Sequence, residues 1–245
     1  MFGRRNRALP EFLNVPWSVR DLLLFVVAWF GLQVVTLLAL KALGPVVPPV
    51  NAFLHGAAAG DIMASFLLNV LDAALGLGVV AWILRRYHVG WSALGWRRVS
   101  LRQTALYLAA ILVIFMVVVN VALIMVSVLV PHFDPNQAQQ NEFTHAGGHN
   151  NLALIALVLL PPVLEETIFR GFVFPAIAKR AGLIWGAVLS SVIFGIAHWQ
   201  ANISIYTFVL GLLLCFMYVR LRSIVPGILL HMVNNYLAFI ALGGK

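Results

Sequence analysis

Hydrophobic and polar positions along this chain fall into long blocks. Apolar runs near Leu22–Leu40, Ile62–Leu84, Thr104–Val130, Leu152–Ala178, Leu183–His198, Ile203–Val219 and Ile224–Leu242 are separated by short polar stretches. A bilayer-crossing helix needs roughly 20 mostly apolar residues, so the pattern predicts about seven spans. The third run is long enough to tilt. The fourth is interrupted by Pro161-Pro162. Since proline suits the first turn of a helix, this pair predicts a helix start just before Glu165. A short eighth segment around Val46–Ala58 is a candidate, but Pro45, Pro48 and Pro49 favour a loop there. The segment Pro131–Asn151 is polar and rich in Gln and Asn, and it reads as a loop. No internal repeat is visible.

Composition sharpens this reading. Of 245 residues, 62% are hydrophobic and 10% charged, against about 45–50% and about 25% in soluble domains. A soluble or disordered chain is excluded, and one all-α polytopic membrane domain over residues 1–245 is expected. Cys215 is the sole cysteine, which excludes a disulfide framework and a cysteine zinc cluster. No cleaved signal peptide is expected, because the first apolar run exceeds a typical signal core and follows a stretch holding Glu11, Asn14 and Asp21.

The net charge of +8 is not a nucleic-acid signature, since a nucleic-acid binder gathers its basic residues on one soluble face. Here they alternate between connections. Arg4, Arg5, Arg7 and Arg20 precede the first span, and Arg85, Arg86, Arg97, Arg98 and Arg102 follow the second. Lys179 and Arg180 follow the fourth, and Arg220 and Arg222 follow the sixth. By the positive-inside rule, this alternation places the N-terminus in the cytoplasm. Tyr87–Gln103, with Trp91 and Trp96, reads equally well as an interfacial segment or an aromatic-anchored loop.

Ionisable groups inside a bilayer are costly and mark function or tight internal pairing. Glu165, Glu166 and Arg170 sit in the fourth run, His198 ends the fifth, and His231 and Asn235 lie in the seventh. Asp72 lies in the second and reads as a packing or pore-facing partner in preference to a catalytic group. Residues four apart share a helix face. Glu166 can therefore pair with Arg170, and Glu165, turned about 100° away, stays free. A carboxylate with a histidine can deprotonate water. A second histidine and an asparagine can stabilise an oxyanion. One glutamate and two histidines, Glu165, His198 and His231, could equally ligate a catalytic zinc. If the fifth helix starts at Leu183, His198 reaches nearer the outer face than Glu165, which a shared site must reconcile.

These residues carry a resemblance. Glu165-Glu166-Thr-Ile-Phe-Arg170 resembles the Glu-Glu-x-x-x-Arg motif of the CPBP intramembrane proteases, the group that includes CAAX prenyl proteases and bacteriocin-processing or immunity proteins. Phe194-Gly-Ile-Ala-His198 and His231-Met-Val-Asn-Asn235 match its Phe-x-x-x-His and His-x-x-x-Asn motifs, in the family's order. The resemblance covers residues 152–245. It implies a peptidase in which Glu165 and His198 activate water, His231 and Asn235 form the oxyanion site, and Glu166 and Arg170 are a structural pair. The implied substrate is a peptide or protein, prenylated and CAAX-type or a leader peptide. Both metalloprotease and metal-free mechanisms are implied; Asn235 suits an oxyanion better than zinc and tilts the reading to the metal-free one. Asn234 competes with Asn235 for its role.

The resemblance also implies residence in the lipid bilayer, in the plasma membrane if the host is bacterial or archaeal. A non-catalytic transporter, proton relay or immunity protein using the same polar cluster is the alternative. His145 and His149 have helical metal-pair spacing, but Gly147-Gly148 disfavours a helix. Gly171, Gly182, Gly186 and Gly195 are expected at close helix contacts.

Overall fold

The computed structural model describes residues 9–58, 62–135 and 150–241. His145 and His149 lie outside them. Among the described residues the secondary structure is all helical. The long helices are α1 (Val19–Leu43), α2 (Pro48–Ala58), α3 (Ile62–Arg86) and α4 (Leu101–Leu129), then α5 (residues 150–181), α6 (Leu183–Ile196), α7 (Ala201–Leu221) and α8 (Val225–Ala241). Helices α1, α4, α7 and most of α3 are long and apolar enough to cross a membrane, while α6 and α8 are shorter apolar helices. Large apolar side chains such as Val27, Phe30, Val117 and Leu129 face outward from α1 and α4. In water such a surface would aggregate, so it is the lipid face of an integral membrane protein.

Two expectations are corrected here. Residues 48–58 form helix α2 and not a loop. Pro48 and Pro49 occupy its first two positions, where a missing N–H breaks no helical bond. The Pro161-Pro162 pair does not start a new helix either. Helix α5 runs through it as an α-segment (Asn150–Leu154), a π-segment (Ile155–Leu159), an α-segment (Leu160–Glu165), a second π-segment (Glu166–Val173) and a last α-segment (Phe174–Ala181). Leu154 and Leu159 keep right-handed helical dihedrals. The wide π-turn takes up the residues whose bonding the prolines disrupt. Glu165 and Glu166 therefore sit mid-helix and not at a helix N-terminus.

Helix α5 is the centre of the molecule. Phe172 packs with Trp17, Phe25, Val80, Ile83 and Leu94 on one side, and Phe174 packs with Leu13, Cys215, Tyr218 and Ile228 on the other. A third cluster joins α4 to α7 and α8 through Phe115, Leu210, Leu214 and Leu230. The Trp17 indole donates to the Phe172 carbonyl at 2.9 Å, and the Ser190 hydroxyl donates to the Phe169 carbonyl at 3.2 Å. Both carbonyls lie in the second π-segment.

Residues 87–100 are docked against the helices. Leu94 is fully buried, Gly95 accepts from the Ile224 N–H at 3.0 Å, and the Ser223 hydroxyl donates to the Arg97 carbonyl at 2.7 Å. The Lys179 ammonium reaches the Val15 carbonyl at 2.9 Å. The segments around Val15, Gly95–Arg97, Lys179 and Ser223–Ile224 thus meet at one end of the bundle. Asp72 accepts from the Trp29 indole at 3.0 Å and from the Gln33 amide, which makes it an α1–α3 packing partner.

Gly182 is a correction to the expected glycine contacts. Its φ of +83° makes the turn between α5 and α6, and a side chain there would meet nothing within 4 Å. A Cβ on Gly186, by contrast, would fall 2.6 Å from Ala178, so these helices touch backbone to backbone.

Candidate active site

The turn at Gly182 decides which residues of α5 and α6 face each other. Counted from it, Glu165 lies 17 positions back and His198 16 positions on. The pairing is antiparallel: Gly186 meets Ala178, and the Phe194 ring meets Phe169 and Arg170. Continuing that register brings His198 level with the glutamates. The offset in depth expected from sequence disappears, because α5 and α6 are two arms of one hairpin of nearly equal length.

Glu166 and Arg170 form an ion pair at 2.9 Å, each side chain 1% exposed. The π-segment keeps the two residues one turn apart on a common face. The Arg170 guanidinium also stacks over Phe194, 4.2 Å from the ring centroid. His231 on α8 reaches into the same place. Its Nδ1 lies 3.1 Å from Glu166 Oε1 and its Nε2 lies 3.8 Å from Glu165 Oε2. A carboxylate paired with arginine can only accept, so Nδ1 carries a proton and donates it to Glu166. Glu165 is 24% exposed along its side chain, yet its Oε2 is buried without a hydrogen-bond partner. The carboxylate is held but uncommitted.

His198 follows the last turn of α6. Its Nδ1 stands 2.8 Å from the Phe194 carbonyl, which fixes Nδ1–H as donor and leaves the Nε2 lone pair free. The Phe194 ring lies edge-on to both imidazoles, with centroids 4.9 Å from His198 and 5.9 Å from His231. No hydrogen bond or ion pair joins His198 to Glu165; the buried Phe194 ring is what brings His198 to the cluster.

Asn235, one turn beyond His231, donates from its amide to the Leu157 carbonyl at 2.9 Å. Asn234 donates to Asn235 Oδ1 at 3.3 Å and accepts from the Tyr206 hydroxyl. Sequence reasoning named Asn234 only as a competitor and missed Tyr206. A phenol in the first turns of an apolar run was the signal for it.

The three residues considered as zinc ligands do not form a donor set as placed. Among the described residues no three of His, Cys, Asp and Glu are grouped to hold one ion. His231 and His198 each give Nδ1–H to a protein acceptor, which leaves Nε2 as the ring nitrogen that any metal would take.

Comparison with known proteins finds likeness in the segment that carries these residues. Residues 148–237 match the family described as Rce1-like, type II CAAX prenyl endopeptidase. An 85-residue stretch is 34% identical to the Bacillus subtilis (strain 168) protein named "Putative membrane peptidase YdiL". That match covers 34% of this chain and 34% of its relative, so the chain spans about a third of the curated relative's length. No solved structure gives a significant match. The motif-bearing segment, residues 148–237, is thus similar to the Rce1-like endopeptidases and to a membrane peptidase.

Proposed function

We propose that this protein is an intramembrane endopeptidase in which Glu165, helped by His198, activates water for attack on a peptide carbonyl. The observation that carries the reading is the contrast between two adjacent carboxylates. Glu166 is neutralised by Arg170, whereas Glu165 presents a buried oxygen with no hydrogen bond, 3.8 Å from the His231 imidazole.

The residues divide the work as follows. Glu165 takes a proton from water, while His198 Nε2 accepts the water's other hydrogen and orients it. The resulting hydroxide attacks the carbonyl carbon. His231 Nε2–H and the second amide hydrogen of Asn235 meet the oxyanion. Glu165 then returns its proton to the leaving nitrogen as the C–N bond breaks, giving a carboxylic acid and an amine. Glu166 and Arg170 orient the cluster. Among the described residues no serine or cysteine is hydrogen-bonded to Glu165, His198 or His231, so the reaction is given no covalent acyl-enzyme.

The metal-free form is preferred because Glu165, His198 and His231 are not arranged as one ligand set. The substrate is a peptide or protein, prenylated and CAAX-type or a leader peptide. The basic end of the bundle lies in the cytoplasm, and the membrane is the plasma membrane if the host is bacterial or archaeal.

The test uses purified wild type and Glu165→Gln in detergent, each with farnesylated CAAX peptides and leader peptides, with and without a chelator. New termini read by mass spectrometry from wild type alone, unaffected by the chelator, support the proposal. Loss of cleavage on chelation overturns the metal-free form. Proton flux driven by a substrate, without peptide products, would favour a transporter.

A further inference from the structure

Helix α5 contains an acceptor that its own backbone cannot satisfy. The Leu157 carbonyl would take its helical hydrogen bond from residue 161, or from residue 162 in a π-turn. Both positions are proline and have no N–H. A carbonyl left bare in an apolar interior is costly. Here it is met from another helix: the Asn235 amide of α8 donates to it at 2.9 Å.

That amide is itself oriented. Asn235 Oδ1 accepts from the Asn234 amide at 3.3 Å, so its nitrogen is directed at Leu157. Asn234 is buried, and its own oxygen accepts from the Tyr206 hydroxyl of α7. Every group in this chain has one role: Tyr206 donates to Asn234, Asn234 to Asn235, and Asn235 to Leu157. The freed carbonyl lies two turns before Glu165 on the same helix.

We propose that Tyr206 and Asn234 are positioning residues for the active site. They act through Asn235, which clamps the carbonyl released by Pro161-Pro162 and so fixes the segment of α5 carrying Glu165. The inference rests on the peptidase reading for its effect on rate, but the clamp itself does not. It gives Asn235 a bond to the scaffold besides any contact with substrate, and it explains how a proline pair is tolerated beside the catalytic carboxylate.

The test is a rescue in the full-length protein. Asn235→Ala removes the clamp and should lower the melting temperature in detergent by about 2–4 °C, the shift of a single lost hydrogen bond in a chain of this size. Pro161→Ala restores an N–H that can reach the Leu157 carbonyl. Combined with Asn235→Ala, it should recover at least half of that loss. Tyr206→Phe should lower kcat about tenfold on a farnesylated CAAX peptide with KM unchanged. It should have no further effect on melting in the Asn235→Ala background.

A double variant that melts no higher than Asn235→Ala, or Tyr206→Phe and Asn235→Ala effects that simply add, would overturn the clamp. An inactive wild type would sink the peptidase reading and leave the melting cycle to decide the clamp. Should Asn235→Ala fail to fold, Tyr206→Phe against Asn234→Ala gives the same comparison.

Discussion

Truncating Arg170 to methionine removes the cation that neutralises Glu166 while keeping most of the side-chain volume. The guanidinium is fully buried, 2.9 Å from Glu166 Oε1 and stacked on Phe194. Removing one partner of a buried pair costs about 3–5 kcal/mol, because the remaining charge is stranded. Loss of the cation–π contact lies within that figure, since the same group makes both. For a chain of this length each kcal/mol is worth about 2–4 °C in Tm, so Arg170→Met should melt about 6–20 °C below wild type. Glu166→Gln removes the stranded charge yet leaves an oxygen for the His231 Nδ1–H. The double variant Glu166→Gln/Arg170→Met should therefore melt above Arg170→Met alone. Differential scanning fluorimetry in a mild detergent reads all three. Melting of Arg170→Met within about 2 °C of wild type, or a double variant below the single one, would refute the charge argument.

Gly171→Ala should lower stability by about 1–3 kcal/mol, because a Cβ there falls 2.7 Å from the Leu94 carbonyl and must push residues 91–97 off α5; thermal melting reads it, and an unchanged Tm would mean that this docking is loose. Asp72→Ala should destabilise more than Asp72→Asn, which keeps an oxygen for Trp29 and Gln33, and neither should change the rate of peptide cleavage in a peptidase assay.

Much of the fold and the cluster was legible because bilayers impose simple rules. Apolar length marked the helices, and alternating basic connections marked one end. The four-residue spacing of Glu166 and Arg170 marked a pair that the helix makes at 2.9 Å. What escaped depends on three-dimensional pairing. Pro161-Pro162 reads as a helix start, since nothing local shows that two π-segments will carry the chain through. Pro48 and Pro49 read as a loop because the helix they begin shows no cap in sequence. Gly182 was expected at a packed contact, but its role follows from dihedral angles.

The level of His198 stayed open in the sequence because two helices were treated as independent spans, when Gly182 ties them into one hairpin. Tyr206 and Asn234 could have been found by asking which carbonyl a Pro-Pro pair leaves bare and which buried amide could reach it. Residues 87–100 were undecided between interface and loop; Leu94 and Gly95 show them packed on α5 and α7.

The central claim is that Glu165 and His198 act as one unit on the same water. The rates of peptide cleavage by wild type, Glu165→Ala, His198→Ala and the double variant test it directly, with folding of each checked by melting. Groups that act together are strongly non-additive. The account predicts that either single change abolishes turnover, that the double variant is no slower than the singles, and that all four melt as folded proteins. Full activity in a folded Glu165→Ala or His198→Ala, or losses that multiply in the double variant, would contradict it.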